Sequence, residues 1–357
     1  MISRHTDSNI GNSGLISGSH ESGLTTYPRL CLALRNLIIE EAIRDIQYDL
    51  STLSGVIAEI ERPVEVLQVK RRIPYKFVAG VDAGSQRVPL ASQWSAVIAA
   101  LAFELPNSRR FYTEPEMVKL SYNYSSERFQ EVVSIRRETK LFKTAERFLK
   151  RENRLELLLI DGPLAFGNWW WRKGEEKDRF KLVSAINDLL DLCAYKGVSI
   201  AGVVKRATAR YLINSLGLTE KTTLPDAYVL LQMLRVGERT ECFSPKEAFV
   251  KAFGTAFFME KINHPIYSFY LRASSSRISP PIRIDIPEFM IDWVDDIAGY
   301  CYATSVKEGV PLAIIRADEE VRITKRFVSE VYSELIPNIT KHFGSPSLAA
   351  TIWGETP

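Results

Sequence analysis

Two apolar runs in this chain each reach an aspartate that is followed closely by glycine, and no other feature limits the fold as tightly. The first is Lys76-Phe77-Val78-Ala79-Gly80-Val81-Asp82-Ala83-Gly84-Ser85, and the second is Leu157-Leu158-Leu159-Ile160-Asp161-Gly162-Pro163-Leu164. Both read as buried strands. A carboxylate at the tip of such a strand is held rigidly, and glycine keeps the neighbouring backbone thin enough for a substrate to approach. Two such tips on adjacent strands can hold divalent cations between them, which points to metal-dependent chemistry on phosphates.

The remaining pattern places those tips in a soluble α/β protein. The 357 residues are 46% hydrophobic and 25% charged, and the net charge is only +3, so any surface that attracts nucleic acid must be local. Residues 1–28 are rich in Ser, Gly, Asn and Thr and read as a disordered tail. Ile39, Ile43, Ile46, Leu50, Leu53, Ile57 and Ile60 then recur in steps of four and three, a seam that suits either a helix packed on the core or a coiled-coil arm. Strands are expected at residues 94–105, at the far side of a turn over Pro106-Asn107-Ser108, and at 199–205, 266–272, 282–286 and 311–316. Helices are expected at 129–153, 180–196, 225–236, 287–308 and 327–339, while Gly237-Glu238-Arg239-Thr240 reads as a polar turn. The domains divide as 1–28 (tail), 29–72 (N-terminal helical extension), 73–325 (catalytic α/β domain around a mixed sheet flanked by helices) and 326–357 (C-terminal helix and tail).

Other chemistries find little support. Cys31, Cys193, Cys242 and Cys301 have no metal-ligand spacing and are expected to be reduced and mostly buried. The four histidines are scattered, and the chain has no GxxxxGK[ST] phosphate loop. No apolar run reaches the roughly 18 residues of a membrane span, no signal-peptide pattern is present, and a cytoplasmic location without membrane attachment is the expectation.

Between the two aspartates lie Glu138, in Arg136-Arg137-Glu138, and Glu146 two turns further on; helical spacing lets either face the site. Three clustered carboxylates repel one another, and a divalent cation relieves that repulsion while orienting a water or a phosphate oxygen. All-oxygen ligation suits Mn2+ or Mg2+. Lys205 ends an apolar run and is followed by Arg206 and Arg210, a set suited to phosphate contacts. Trp169-Trp170-Trp171 reads as a core plug or as a stacking wall beside the Asp161 loop, with Trp170 and Arg137 as DNA contacts in the second case.

Taken in order, these segments resemble the NurA nucleases. The resemblance rests on Gly80-Val81-Asp82-Ala83-Gly84-Ser85, Arg137-Glu138, Leu159-Ile160-Asp161-Gly162-Pro163-Leu164, Val203-Val204-Lys205-Arg206, Asp226 and Gly237-Glu238-Arg239. It continues through Tyr267-Ser268-Phe269-Tyr270-Leu271-Arg272, Arg283-Ile284-Asp285-Ile286-Pro287 and residues 309–318, and it covers roughly residues 75–325. It implies an RNase H-like core, two Mn2+ (or Mg2+) ions per site, single-strand endonuclease and 5′-to-3′ exonuclease activity, a homodimer, and a HerA-type hexameric ATPase as partner in DNA end resection and double-strand break repair. Carried onto this sequence, Asp82, Glu138 and Asp161 match the metal-binding acids. Where the family has Tyr-Pro-Leu and Ala-His, this chain has Val310-Pro311-Leu312 and Ala317-Asp318, so Asp318 takes the histidine's place as an oxygen ligand. A nuclease with Asp82, Glu138, Asp161, Lys205 and Asp318 at its centre is the leading expectation. A catalytically weak or inactive DNA-end adaptor of the ATPase and an actin-like ATPase are the alternatives.

Overall fold

The first apolar run folds as a strand from Val78, and the strand continues well past Asp82 to Arg87. The computed structural model describes residues 29–88 and 93–344, so the expected tail at 1–28 lies outside the described residues. Two units divide the chain, Met1–Leu50 and Ser51–Pro357. The described part of the first is the start of helix α1 (Arg29–Ile60), where Leu32, Leu37, Ile38, Ile39 and Ile43 are exposed. In the second unit the end of α1 buries Leu53, Val56 and Ile60 against Ile213, Leu218 and Val229. The C-terminal half of the heptad-like seam is thus core packing.

The second unit continues with β1 (Val66–Gln68), β2 (Val78–Arg87), β3 (Gln93–Leu105), β4 (Arg109–Tyr112) and β5 (Glu116–Ser121). Next come α2 (Ser126–Arg151), β6 (Leu157–Asp161), α3 (Glu176–Lys196), β7 (Ser199–Val204), α4 (Tyr211–Ser215) and α5 (Asp226–Met233). After β8 (Glu238–Thr240) and α6 (Pro245–Phe253), strands β9 (Ile266–Leu271) and β10 (Ile282–Pro287) complete the sheet. Helices α7 (Val294–Thr304), α8 (Leu312–Val321) and α9 (Lys325–Phe343) follow. Among the described residues ten strands form one mixed sheet in the order β1-β8-β9-β10-β7-β6-β2-β3-β4, with β5 also paired to β3. The central strands β2, β6 and β7 are parallel and their outer neighbours antiparallel. This is an RNase H-like α/β core, as the sequence leads one to expect.

The continuous apolar runs follow from that placement, because parallel central strands are covered on both faces. On one face Val81, Leu158, Ile160 and Ile200 meet Phe142, Leu149, Leu182 and Ile186 of α2 and α3. On the other face Val78, Leu157, Leu159 and Val203 meet Ile297, Ala298, Ala313 and Ile314 of α7 and α8. Contact on the second face is close: a Cβ at Gly80 would overlap the backbone carbonyl of Ala313.

Three expectations are corrected here. Residues 311–316 are not a strand. Pro311 is the N-cap of α8, whose buried residues Ala313, Ile314, Ala317 and Val321 follow helical spacing; a short apolar run cannot by itself distinguish the two forms. Residues 237–240 are not simply a turn, because Glu238, Arg239 and Thr240 form β8 with all three residues buried. Their polar groups find partners inside: Glu238 accepts from Gln68 Nε2 at 2.6 Å, Arg239 pairs with Asp295 at 2.7 Å, and Thr240 Oγ1 accepts from Tyr270 N at 3.0 Å. Finally, residues 287–308 are not one helix, since a 3-10 turn over Glu288–Trp293 precedes α7.

Two glycines give opposite expectations for one substitution. Gly80→Ala should destabilise the protein by about 3 kcal/mol, because backbone blocks the added methyl. Gly55→Ala, in the interior of α1 with open space around it, should stabilise by about 0.5–1 kcal/mol. Denaturant unfolding of both variants measures the contrast.

Candidate metal centre

Strand register brings the two aspartates together. Val81 of β2 is paired with Ile160 of β6, and Asp161 with Val203 of β7, so Asp82, Asp161 and the turn carrying Lys205 emerge side by side. Neighbouring strands lie about 4.8 Å apart. Helix α8 crosses the same end of the sheet and adds Asp318. One carboxylate oxygen each from Asp82, Asp161 and Asp318 lies within 4.8 Å of the others. Asp82 and Asp161 are largely shielded from solvent, while the Asp318 side chain is 53% exposed.

A backbone amide and one shared lysine orient the ligand candidates. Asp82 Oδ1 accepts from the Ala83 amide at 2.6 Å. Lys205 Nζ lies 2.6 Å from Asp161 Oδ2 and 3.5 Å from Asp318 Oδ1. Beyond Asp161, Gly162 adopts φ +145°, a conformation that strongly favours glycine, and its N–H donates to Val203 O at 3.1 Å. The loop is then held from below. Buried Asp285 on β10 accepts from the amides of Leu164 and Ala165 at 3.0 and 3.1 Å, and also from Ser268 Oγ and Arg283 Nε at 2.7 and 2.8 Å.

The electrostatics follow from that enclosure. Burial, then the Asp161 charge, pushes the Asp82 carboxyl up to about 8. Burial also raises Asp161, but the Lys205 ammonium pulls it back and it reaches only about 6. Burial would lower Lys205; attraction to Asp161 and Asp318 prevails and holds it above the ordinary lysine value. Two enclosed acids that resist losing their protons form a site short of positive charge, and the donors are all oxygen. Both properties fit a hard divalent cation such as Mn2+ or Mg2+.

Glu138 and Arg137 line the same cavity of about 320 Å3, together with Ser85 and Arg322. Glu138 is buried and accepts from Arg137 Nη2 at 2.6 Å. Glu146, the other helical candidate, is instead paired with Lys150 one turn along. Arg206 and Arg210 line a second hollow of about 450 Å3 with Trp169, Trp170 and Phe253. Trp170 is buried against Phe166, and Trp169 is the ring that reaches solvent, 54% exposed. Arg210 turns inward to the Thr219 carbonyl at 2.9 Å. Asp285 and Arg322 went unread as site residues. The charged pair alternating with isoleucine in Arg283-Ile284-Asp285-Ile286 is the sequence signal for Asp285, whereas Arg322, the C-cap of α8, carries no such signal.

An acidic cluster carried by the central strands of a mixed sheet defines the class: an α/β protein whose clustered carboxylates fit a divalent cation. The NurA domain model matches residues 76–323, and the chain belongs to that family. It is similar to the crystal structure of the NurA nuclease from Sulfolobus solfataricus, at 16% identity over 85% of this chain and 97% of that one, with a TM-score of 0.57. It is also similar to a crystal structure of NurA with manganese, at 13% identity over 84% and 97% of the two chains and a TM-score of 0.54. No curated protein sequence matches.

Because Asp82 and Asp161 bind protons more tightly folded than unfolded, the pair stabilises the metal-free protein below about pH 4, and that contribution fades as pH rises to about 8. Melting of wild type and Asp82→Asn in chelator should show the wild type losing more stability across that window, and added Mn2+ at the alkaline end should restore it. Asp285→Ala should cost about 3–5 kcal/mol by orphaning buried Arg283.

Proposed function

We propose that this protein is a metal-dependent DNA nuclease. The observation that carries the proposal is the convergence of Asp82, Asp161 and Asp318 within 4.8 Å, with burial and mutual repulsion raising the first two. Membership of the NurA family supports it.

Asp82, Asp161 and Asp318 would hold the family's pair of Mn2+ or Mg2+ ions, with Glu138 as a fourth acid. When bound, such ions polarise a phosphate oxygen and make an attacking water more acidic. The chain's own groups do the positioning. Lys205 offers a cation to the phosphate being cleaved. Arg137 orients Glu138 through its 2.6 Å bond. Exposed Trp169 and Arg206, at the neighbouring hollow, suit the stacking and phosphate contacts of a single strand leaving the site. The wider role follows the family: single-strand endonuclease and 5′-to-3′ exonuclease activity on DNA ends in the cytoplasm, as a homodimer working with a HerA-type hexameric ATPase in resection.

One observation favours a second reading, a DNA-end adaptor without cleavage. Lys205 already contributes a positive charge to the cage through Asp161 and Asp318. End-labelled single- and double-stranded DNA incubated with Mn2+, Mg2+ or chelator separates the two readings. The nuclease reading expects metal-dependent products, at least about 1,000-fold fewer with Asp82→Asn or Asp161→Asn, and about 100-fold fewer with Lys205→Ala. Binding without products under every metal would leave the adaptor.

A further inference from the structure

A third cavity, of about 420 Å3, lies beside α2 at residues that do not line the acidic cage. Six cationic side chains line it: Arg136, Lys140, Lys143 and Arg147 of α2, and Lys177 and Lys181 of α3. Among the described residues only two carboxylates, Glu116 and Asp178, line the cavity with them. The whole chain carries a net charge of only +3, so this concentration of positive charge is local.

Much of that charge has no internal use. Arg136 pairs with Asp178 at 3.3 Å, Lys177 pairs with Glu175 at 2.7 Å, and Lys140 donates to the Glu114 carbonyl. Lys143, Arg147 and Lys181 make no ion pair or hydrogen bond among the described residues, and all three are exposed. Burial, with Arg147 close by, lowers the Lys140 ammonium below its ordinary value. Folding therefore holds unneutralised cations around one hollow, an arrangement that an anion stabilises.

The spacing selects the anion. Arg136, Lys140, Lys143 and Arg147 stand at steps of four, three and four, one stripe along α2. At about 1.5 Å per residue the stripe is roughly 16 Å long. A single small anion would occupy one part of such a stripe, whereas successive phosphates along a nucleic-acid strand would fill it. The next residues of the same helix, Arg137 and Glu138, line the acidic cavity. We infer that this basic stripe of α2 and α3 is a second nucleic-acid contact, which grips the phosphate backbone of the substrate strand outside the metal centre. The inference rests on the nuclease reading and adds a subsite to it.

The test uses the full chain and Lys143→Ala/Arg147→Ala/Lys181→Ala, three exposed positions without internal partners. Binding of a fluorescent single-stranded 30-mer and of a 6-mer is followed by anisotropy against salt, with chelator present to stop cleavage. Loss of three phosphate contacts should flatten the salt slope on the 30-mer by about two units and weaken its binding about tenfold or more. The 30-mer should also lose its affinity advantage over the 6-mer, and Lys143→Glu alone should weaken binding more than Lys143→Ala. Inorganic phosphate and a mononucleotide serve as competitors. If the triple variant melts like wild type yet binds the 30-mer with an unchanged salt slope, the inference is overturned while the nuclease reading stands. Loss of mononucleotide binding with unchanged strand binding also overturns it, in favour of a small-anion site. Failure of the wild type to cleave DNA under any metal would remove the reading on which it rests.

Discussion

The parallel pairing of β2, β6 and β7 is the constraint on which the rest depends. Its register puts Val81 beside Ile160 and Asp161 beside Val203, so the polar residues that follow are forced into one row. A slip of one residue would turn each of these side chains to the opposite face of the sheet. Apolar packing on both faces prevents that slip. The same hydrophobic burial that stabilises the sheet thereby sets the distance between two carboxylates that repel each other.

That repulsion is tolerated because it is distributed. Asp82 is held by its contact with the Ala83 amide and stays protonated to an unusually high pH, whereas Asp161 shares the Lys205 ammonium and is raised less. Asp318, half in solvent, contributes charge with little desolvation cost. Three acids of one chemical type thus occupy three different environments, and a proton, a lysine and water each relieve part of the strain.

The central strands and their aspartates were legible in the sequence because burial on both faces writes a continuous apolar run, and such runs are easily seen. The register that joins them was not, since pairing depends on residues far apart in the chain. Residues 311–316 show the limit of local pattern: six mostly apolar residues suit a strand or a buried helix, and only packing on Gly80 decides for the helix. Strand β8 shows the converse. Polar Glu238, Arg239 and Thr240 look like surface until Gln68, Asp295 and Tyr270 are seen to satisfy them. Trp170 and Trp169 differ for a similar reason, because adjacent rings on a 3-10 turn point in different directions and composition does not reveal which one is enclosed.

The loop after Asp161 draws its shape from Asp285, which clasps the Leu164 and Ala165 amides while locked to Arg283 and Ser268. None of the cage acids takes part in that clasp. Scaffold and reactivity are therefore assigned to separate groups, and a cage residue can change identity without the chain having to find a new shape.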